Sequence, residues 1–265
     1  MPLKSTPMGG RENAGDVIAS ATVPASTLTP APTTTGDDGV ALAPAYSIED
    51  YKIEIAAAAA ADDAPFVDHL ARIVNEAYVE AEEGIWQDGY QRTNAAEVAE
   101  LIRAGELAVA YLASGNGNSS SMGGKSDTDD DKDNQTTRIQ PQPQPVGCVC
   151  IKRLPCGGDS GGGGSGEKGE FGMLALEGPH RGSGLGRAMV RFAEDRCRGW
   201  GLTTVELELL FPTAFEHAFK ARLSRWYARM GYEEVCLRSF ANDYPRLAPL
   251  LAGPCEYRIF EKRLV

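Results

Sequence analysis

The sequence predicts an α/β domain, in the α+β sense, with about seven strands and about four helices around one core. Three observations carry this. Period-two and helical hydrophobic patterns succeed one another from Ile48 almost to the end of the chain. Capping residues, glycines and prolines fall between them. Three biased segments (1–47, 114–145 and 156–169) show no period and stand apart from the patterned remainder.

Residues 1–47 are rich in Ser, Thr, Pro, Ala and Gly and bury too little apolar surface to offset their ordering entropy, so a disordered tail is expected. Glu12, Asp16, Asp37 and Asp38 against only Lys4 and Arg11 argue against a mitochondrial presequence. Order begins near Ile48, giving a domain over 48–265. Tyr51, Ile53 and Ile55 alternate with polar residues and mark a first strand. Asp63 and Pro65 open a helix whose core face is Phe66, Leu70, Ile73, Val74 and Ala77, closed by Gly84. Asn94 and Glu97 form a capping-box pattern for a second helix carrying Val98, Leu101 and Ile102 and stopped at Gly105. Leu107 to Leu112 reads as a second strand.

Residues 114–145 pass from Gly/Asn/Ser through an Asp-rich run to Gln-Pro repeats, a flexible insertion between the second strand and a third at Val146–Leu154. A glycine-rich insertion follows at 156–169. Gly161, Gly163 and Gly166 there match G-x-G-x-x-G formally, but no strand leads in and no helix leads out. Both insertions fall at hairpin positions, where added length costs little. Phe171 to Leu176 is the fourth strand, and a helix from Leu185 buries Leu185, Met189, Phe192, Ala193 and Cys197. In the fifth strand, Thr203–Leu210, Val205, Leu207 and Leu209 face one way and Glu206 and Glu208 the other. Phe219, Leu223, Trp226 and Met230 form one apolar stripe of a helix ending at Gly231. Val235–Phe240 and Cys255–Phe260 are the last strands, joined by a loop containing Pro245, Pro249 and Pro254.

Composition excludes several functions. A formal charge of −11 over 265 residues, with no basic stripe, argues against nucleic acid as a partner. No apolar run is long enough to span a membrane. The six cysteines show no CxxC pair and read as free thiols in a reducing compartment, which places the protein in the cytoplasm with the nucleus left open. The sequons at Asn118 and Asn134 read as chance matches in a polar loop.

The chemistry is carried by Glu170–Arg187: a buried strand, a turn, a glycine cluster and a helix, with Arg181 and Arg187 flanking the glycines. Successive amides turned inward at a helix N-terminus cradle phosphate. A P-loop would need Gly-Lys-Ser/Thr, whereas Gly186 precedes Arg187 and Ala188. A dinucleotide fingerprint is served by Glu206 downstream but not by glycines spaced two and two. The third reading, Arg181-x-x-Gly184-x-Gly186 at a strand-to-helix turn, resembles the acetyl-coenzyme A (acetyl-CoA) pyrophosphate loop of the GNAT superfamily of N-acetyltransferases. Downstream, Trp226-Tyr227 followed by Gly231-Tyr232 resembles the last helix and turn of the same superfamily.

The resemblance implies a GNAT-like acyl-CoA N-acyltransferase fold with a mixed, mostly antiparallel sheet, covering almost everything after residue 48. It implies acetyl-CoA as co-substrate and no metal. The pyrophosphate would lie on Arg181, Gly182, Ser183, Gly184, Leu185, Gly186 and Arg187. The backbone of Leu174, Ala175 and Leu176 would hold the pantetheine arm and thioester, and Tyr227 would face the sulfur. A half-buried core tyrosine is the competing reading of Tyr227. Lys220 stands where the family often has asparagine, and a lysine there reaches a phosphate. Glu208 is the first choice of general base, with Glu206, Glu177 and His217 as further candidates; a solvated charged face is the alternative for each. On the acceptor side, Glu83 and Trp86, within Glu82–Trp86, offer charge and cation–π attraction to an ammonium group. A solvated helix end carrying a packed tryptophan competes with that.

The function these residues imply is acetyl transfer from acetyl-CoA to a primary amine, of a small molecule, peptide or protein, by direct attack in a ternary complex. A monomer or homodimer needing no further partner is expected. A non-catalytic acetyl-CoA-binding sensor is the second reading, and a dinucleotide-dependent oxidoreductase a distant third.

Overall fold

The computed structural model describes residues 46–113, 143–154 and 167–264. Residues 1–45 of the tail, Cys156, both sequons and the Gly161–Gly166 match lie outside the described residues, whereas Tyr46 of the expected tail packs on His180. One sheet holds all seven expected strands: β1 (Tyr51–Ile55), β2 (Leu107–Leu112), β3 (Gln144–Leu154), β4 (Lys168–Leu176), β5 (Thr204–Pro212), β6 (Glu233–Arg238) and β7 (Cys255–Arg263). Their spatial order is β1-β2-β3-β4-β5-β7-β6. Every neighbouring pair is antiparallel except β4 with β5.

Several boundaries move. The β3–β4 ladder continues to Arg153↔Gly169 and Leu154↔Lys168, so Lys168 and Gly169 belong to the sheet and not to the second insertion. Gln144 and Pro145 likewise pair with β2 and leave the first insertion. Gly169 has a packing reason, because a Cβ there would collide with Cys197 Sγ. β5 and β7 outrun their expected ends because they pair with each other from Thr204↔Arg263 to Pro212↔Cys255. β6 ends at Arg238, since Phe240 opens a short helix whose first turn Ser239 caps through Asn242 N–H at 3.3 Å.

That short helix is α5 (Phe240–Asp243), one more than expected. The others are α1 (Ala64–Ala81), α2 (Ala95–Arg103), α3 (Leu185–Gly199) and α4 (Ala218–Ala228). Asp63 caps α1 by accepting from Phe66 N–H at 3.2 Å, and Asn94 caps α2 by accepting from Glu97 N–H at 3.0 Å. Glu97 does not close the box; its carboxylate accepts instead from the Thr93 hydroxyl at 2.8 Å.

The helices cover both faces of the sheet. Leu70, Ile73 and Val74 of α1 and Val98 and Ile102 of α2 pack on Leu107, Val109, Cys148 and Cys150. The two cysteines share that face, and burial pushes each thiol up to about 12, so they behave as small apolar groups. On the other face Leu185, Met189, Ala193 and Cys197 of α3 pack with Tyr227 of α4 on Val149, Ile151, Phe171, Val205 and Leu207. Phe192, expected in that core, is only partly buried. A third cluster joins Ile85, Leu210, Phe240, Tyr257 and Ile259 beside the sheet's wider end. Among the described residues no helix is long and apolar enough to cross a membrane.

Candidate active site

Between β4 and α3 the chain makes a 3-10 turn at Gly178–His180 and swings through Gly182 (φ +84°) and Gly184 (φ +91°) into the helix. A side chain at either glycine would meet nothing, so left-handed backbone, not crowding, requires glycine there. The loop is braced from within. Ser183 Oγ donates to the His180 carbonyl at 2.8 Å and accepts from Leu185 N–H at 3.3 Å. Buried His180 is tied to the Tyr51 hydroxyl at 2.9 Å. The loop thereby leads into the N-terminal end of a 15-residue helix, a position that favours an anion. Arg181 and Arg187 stand exposed on the rim, with the Arg181 guanidinium 2.7 Å from Glu80.

Beside the loop the sheet opens. β4 and β5 pair only at Gly169↔Val205 and Glu170↔Glu206, after which the parallel strands part. A bulge in β4 accompanies the split: pairing with β3 steps from Cys150↔Gly172 to Cys148↔Ala175, and Met173 in between has φ +51°. The backbone of residues 171–176 therefore has no β5 partner.

A cleft of about 2160 Å³ fills the opening. Arg181, Gly182, Gly184, Gly186 and Arg187 line it, with Leu174, Leu176, Trp226 and Tyr227. Trp86, Tyr90, Arg92, Glu170, Glu208, Tyr244 and Tyr257 line it as well. Ala175 points away and is buried against the α1 face. The α4 stripe differs from expectation: Phe219, Leu223 and Trp226 are half-buried and line the cleft, while Lys220 and Tyr227 are the helix's buried residues.

Tyr227 packs its ring against Phe171, Trp226 and Tyr232 at centroid distances of 5.9, 4.8 and 5.8 Å. Among the described residues no group hydrogen-bonds its hydroxyl, and burial pushes its pKa up, so it stays protonated at neutral pH.

Lys220 does not extend toward the glycine loop. It is buried in an ion pair with Glu82, Nζ to Oε1 at 2.9 Å, so its charge is already matched and the expected phosphate contact is not formed by this rotamer. Burial alone would raise the Glu82 pKa, but the charges of Lys220 and Arg92 and hydrogen bonds from Lys220 and Trp86 hold it below the ordinary value. Trp86 Nε1–H donates to Glu82 Oε2 at 2.6 Å while its ring stacks on Tyr90 at 4.1 Å. Glu82, not Glu83, is thus the carboxylate beside the indole; Glu83 is exposed and outside the cleft lining.

Glu206 and Glu208 do not form a solvated face. Glu206 is fully buried, with its two oxygens 2.8 and 2.9 Å from the Arg238 guanidinium. Burial would lower the Arg238 pKa, but the bonds and charges of Glu206 and Glu208 hold it above its ordinary value. Glu208 borders the cleft and accepts from the Tyr244 hydroxyl at 2.7 Å, with Arg238 at 3.6 Å. Carboxylate oxygens of Glu170, Glu206 and Glu208 lie within 4.8 Å of one another, a donor set of the kind divalent cations take. Arg238 already occupies Glu206, which fits that set poorly to a metal.

The other base candidates lie elsewhere. Glu177 faces His69 at 3.5 Å and Arg72 at 3.7 Å, outside the cleft lining. His217 caps α4, its Nδ1 accepting from Lys220 N–H at 3.4 Å, and burial with the nearby Lys220 charge lowers its pKa. Sequence reasoning missed Arg92, Arg238, Tyr244 and Tyr257, none of which sits in a motif.

A model of the acetyltransferase (GNAT) family matches residues 123–232, spanning β3, β4, α3, β5 and α4. A search of curated proteins finds no matching sequence. Similar solved structures include the PaiA N-acetyltransferase of Thermoplasma acidophilum in complex with coenzyme A, 11% identical, covering 80% of this chain and 98% of that one with a TM-score of 0.48. yncA of Salmonella typhimurium, solved with acetyl-CoA, is 13% identical, with coverages of 82% and 95% and a TM-score of 0.46. The ribosomal-protein-S18-alanine N-acetyltransferase of Escherichia coli is 14% identical, with coverages of 81% and 94% and a TM-score of 0.44. Residues 123–232, which hold the glycine loop and the split parallel strands, match the acetyltransferase (GNAT) family.

Proposed function

We propose that this protein transfers the acetyl group of acetyl-CoA to a primary amine by direct attack in a ternary complex. The observation that carries this is the continuity of one cleft, from an anion-binding loop past Tyr227 to a wall bearing Glu208. Its volume of about 2160 Å³ exceeds the roughly 300–1,000 Å³ of a single-ligand pocket and accommodates two reactants together. Acetyl-CoA, when bound, supplies the acetyl group as an activated thioester. The amides of the Arg181–Arg187 loop bind its phosphates, and the freed backbone of Leu174–Leu176 takes the extended arm as a strand would.

An amine of pKa about 10.4 is neutral in about one molecule in 2,500 at pH 7, a cost of about 4.6 kcal/mol. Glu208 offsets part of this by taking the ammonium proton at a carboxylate that Tyr244 and Arg238 hold in place. Glu206, sealed against Arg238, cannot reach a substrate. Tyr227 holds its proton at neutral pH and presents it to a departing thiolate. Free cysteines among the described residues support a reducing compartment such as the cytoplasm.

Calorimetric titration with acetyl-CoA tests the cofactor half. Binding should be abolished by Gly184→Glu, which strains a left-handed position and sets a like charge against phosphate. Unchanged affinity would remove the loop from the assignment. Thiol release across an amine panel tests the transfer half, and tight cofactor binding without turnover of any amine would favour the sensor reading.

A further inference from the structure

Arg92 stands apart from the other charged groups of the cleft. It follows the turn after α1, lies over the Tyr78 ring at 5.3 Å and borders the cleft. Among the described residues its guanidinium makes no hydrogen bond and no ion pair, though it is only partly exposed. The acidic groups around it are engaged elsewhere. Glu82 gives Oε1 to Lys220 at 2.9 Å and Oε2 to Trp86 at 2.6 Å. Glu97 Oε2 accepts from Thr93 at 2.8 Å. These carboxylates, with Tyr78 and Tyr90, act on Arg92 through space and keep it charged against the effect of burial. None of its nitrogens is among the sealed, unpartnered polar atoms, so its donors open to the cleft.

A half-buried guanidinium with unused donors is matched by a planar anion, which it takes through two parallel bonds. Phosphate already has the glycine loop. The anion at Arg92 would belong to the acceptor. We propose that Arg92 binds a carboxylate of the acceptor, making the second substrate an amino acid or a similar aminocarboxylate whose amine points toward Glu208. This deepens the transferase reading and rests on it. Trp86, Tyr90 and Tyr244 add aromatic surface to the same lining for a side chain.

The test compares acceptors that differ only in the anion. Free amino acids, their carboxamides and the corresponding decarboxylated amines are assayed by thiol release with the parent protein. The carboxamides have the less basic amine, so amine ionisation alone favours them. A preference for the free acid against that trend therefore reports carboxylate binding. The acid should exceed its amide roughly 10- to 100-fold in kcat/KM, the worth of a charge-assisted bidentate contact. In Arg92→Gln this preference should vanish through KM for the acid, with the amide unaffected and the melting temperature checked on the same preparation. Arg92→Lys should restore only part of it, having charge without the fork. Amides or simple amines used as well as acids by the parent would overturn the proposal, as would a preference that survives in Arg92→Gln. Titration of the acids into the coenzyme A complex separates the two levels. Acid-selective binding lost in Arg92→Gln but without turnover of any amine would uphold the carboxylate site and overturn the transferase reading. Absence of both binding and turnover would overturn both.

Discussion

Lys220 Nζ and Glu82 Oε1 lie 2.9 Å apart with their side chains only 3% and 10% exposed, tying α4 to the end of α1 across the cleft. The pair holds two walls that share no strand, and Trp86 completes it by donating to the other carboxylate oxygen. Both residues line the cleft.

Removing one partner leaves the other as a buried, uncompensated charge. Glu82→Gln should cost about 3–5 kcal/mol, and Glu82→Met combined with Lys220→Met should recover much of that loss. The pH dependence has a definite sign. The Glu82 pKa in the folded protein lies below its ordinary 4.5, despite burial, because of Lys220. Its contribution is full above about pH 4.5 and is lost as pH falls through the depressed folded value. Melting temperature recorded from pH 3 to 7 should fall more steeply in the parent than in Glu82→Gln. Parallel curves would mean that the pair contributes nothing on the acid side.

Glu206 and Glu208 are two residues apart on one strand face yet should fail differently. Glu206→Gln leaves Arg238 without its buried ion-pair partner, so stability should drop by about 3–5 kcal/mol while turnover per folded molecule holds. Glu208→Gln keeps an acceptor for Tyr244 and should melt nearly as the parent does, but kcat should fall on the order of 10²- to 10⁴-fold. A Glu208→Gln protein with full turnover would send the search for the base to Glu170 or to water.

The contrast between these two glutamates shows what the sequence can and cannot convey. Alternation along β5 put both on one face, and it is the right face. Their separation into a structural and a cleft-facing carboxylate depends on Arg238, which reaches Glu206 from β6, two strands away in the sheet order. No local pattern records that contact. The α4 stripe is a similar case: its period is real, but apolar lining of a cleft and apolar core have one signature, so the stripe of Phe219, Leu223 and Trp226 does not distinguish them. Local signals did better. The caps at Asp63 and Asn94 and the left-handed Gly182 and Gly184 lie within a few residues of the turns they form. The pairing of Lys220 with Glu82 is equally out of reach of local pattern, since it spans 138 positions.

The biased segments should be dispensable. Deleting 1–45 and shortening 115–142, which spares Gln144 of β3, should leave the melting temperature within a degree or two, because neither supplies periodic apolar residues. Tyr46 must be kept, since its ring lies 4.7 Å from His180, which braces the glycine loop. A fall of many degrees would place one of these segments on the domain.

Tyr227 offers the sharpest separation of chemistry from packing. Its ring belongs to the aromatic cluster with Phe171 and Tyr232, while its hydroxyl has no partner among the described residues and borders the cleft. Tyr227→Phe keeps the ring and removes only the proton. Because no buried bond is lost, the melting temperature should change little, which a tyrosine held by a core hydrogen bond would not allow. Because burial keeps the hydroxyl protonated well above neutral pH, the proton is present under all assay conditions and its loss appears in kcat, on the order of 10- to 10³-fold. Acetyl-CoA affinity should be preserved, since the loop and the β4 backbone carry it. The measurement is kcat, cofactor Kd and melting temperature on one preparation. Unchanged kcat would take Tyr227 out of the mechanism and leave protonation of the thiolate to water, whereas a loss in Kd of similar size would make the hydroxyl a binding contact and not an acid.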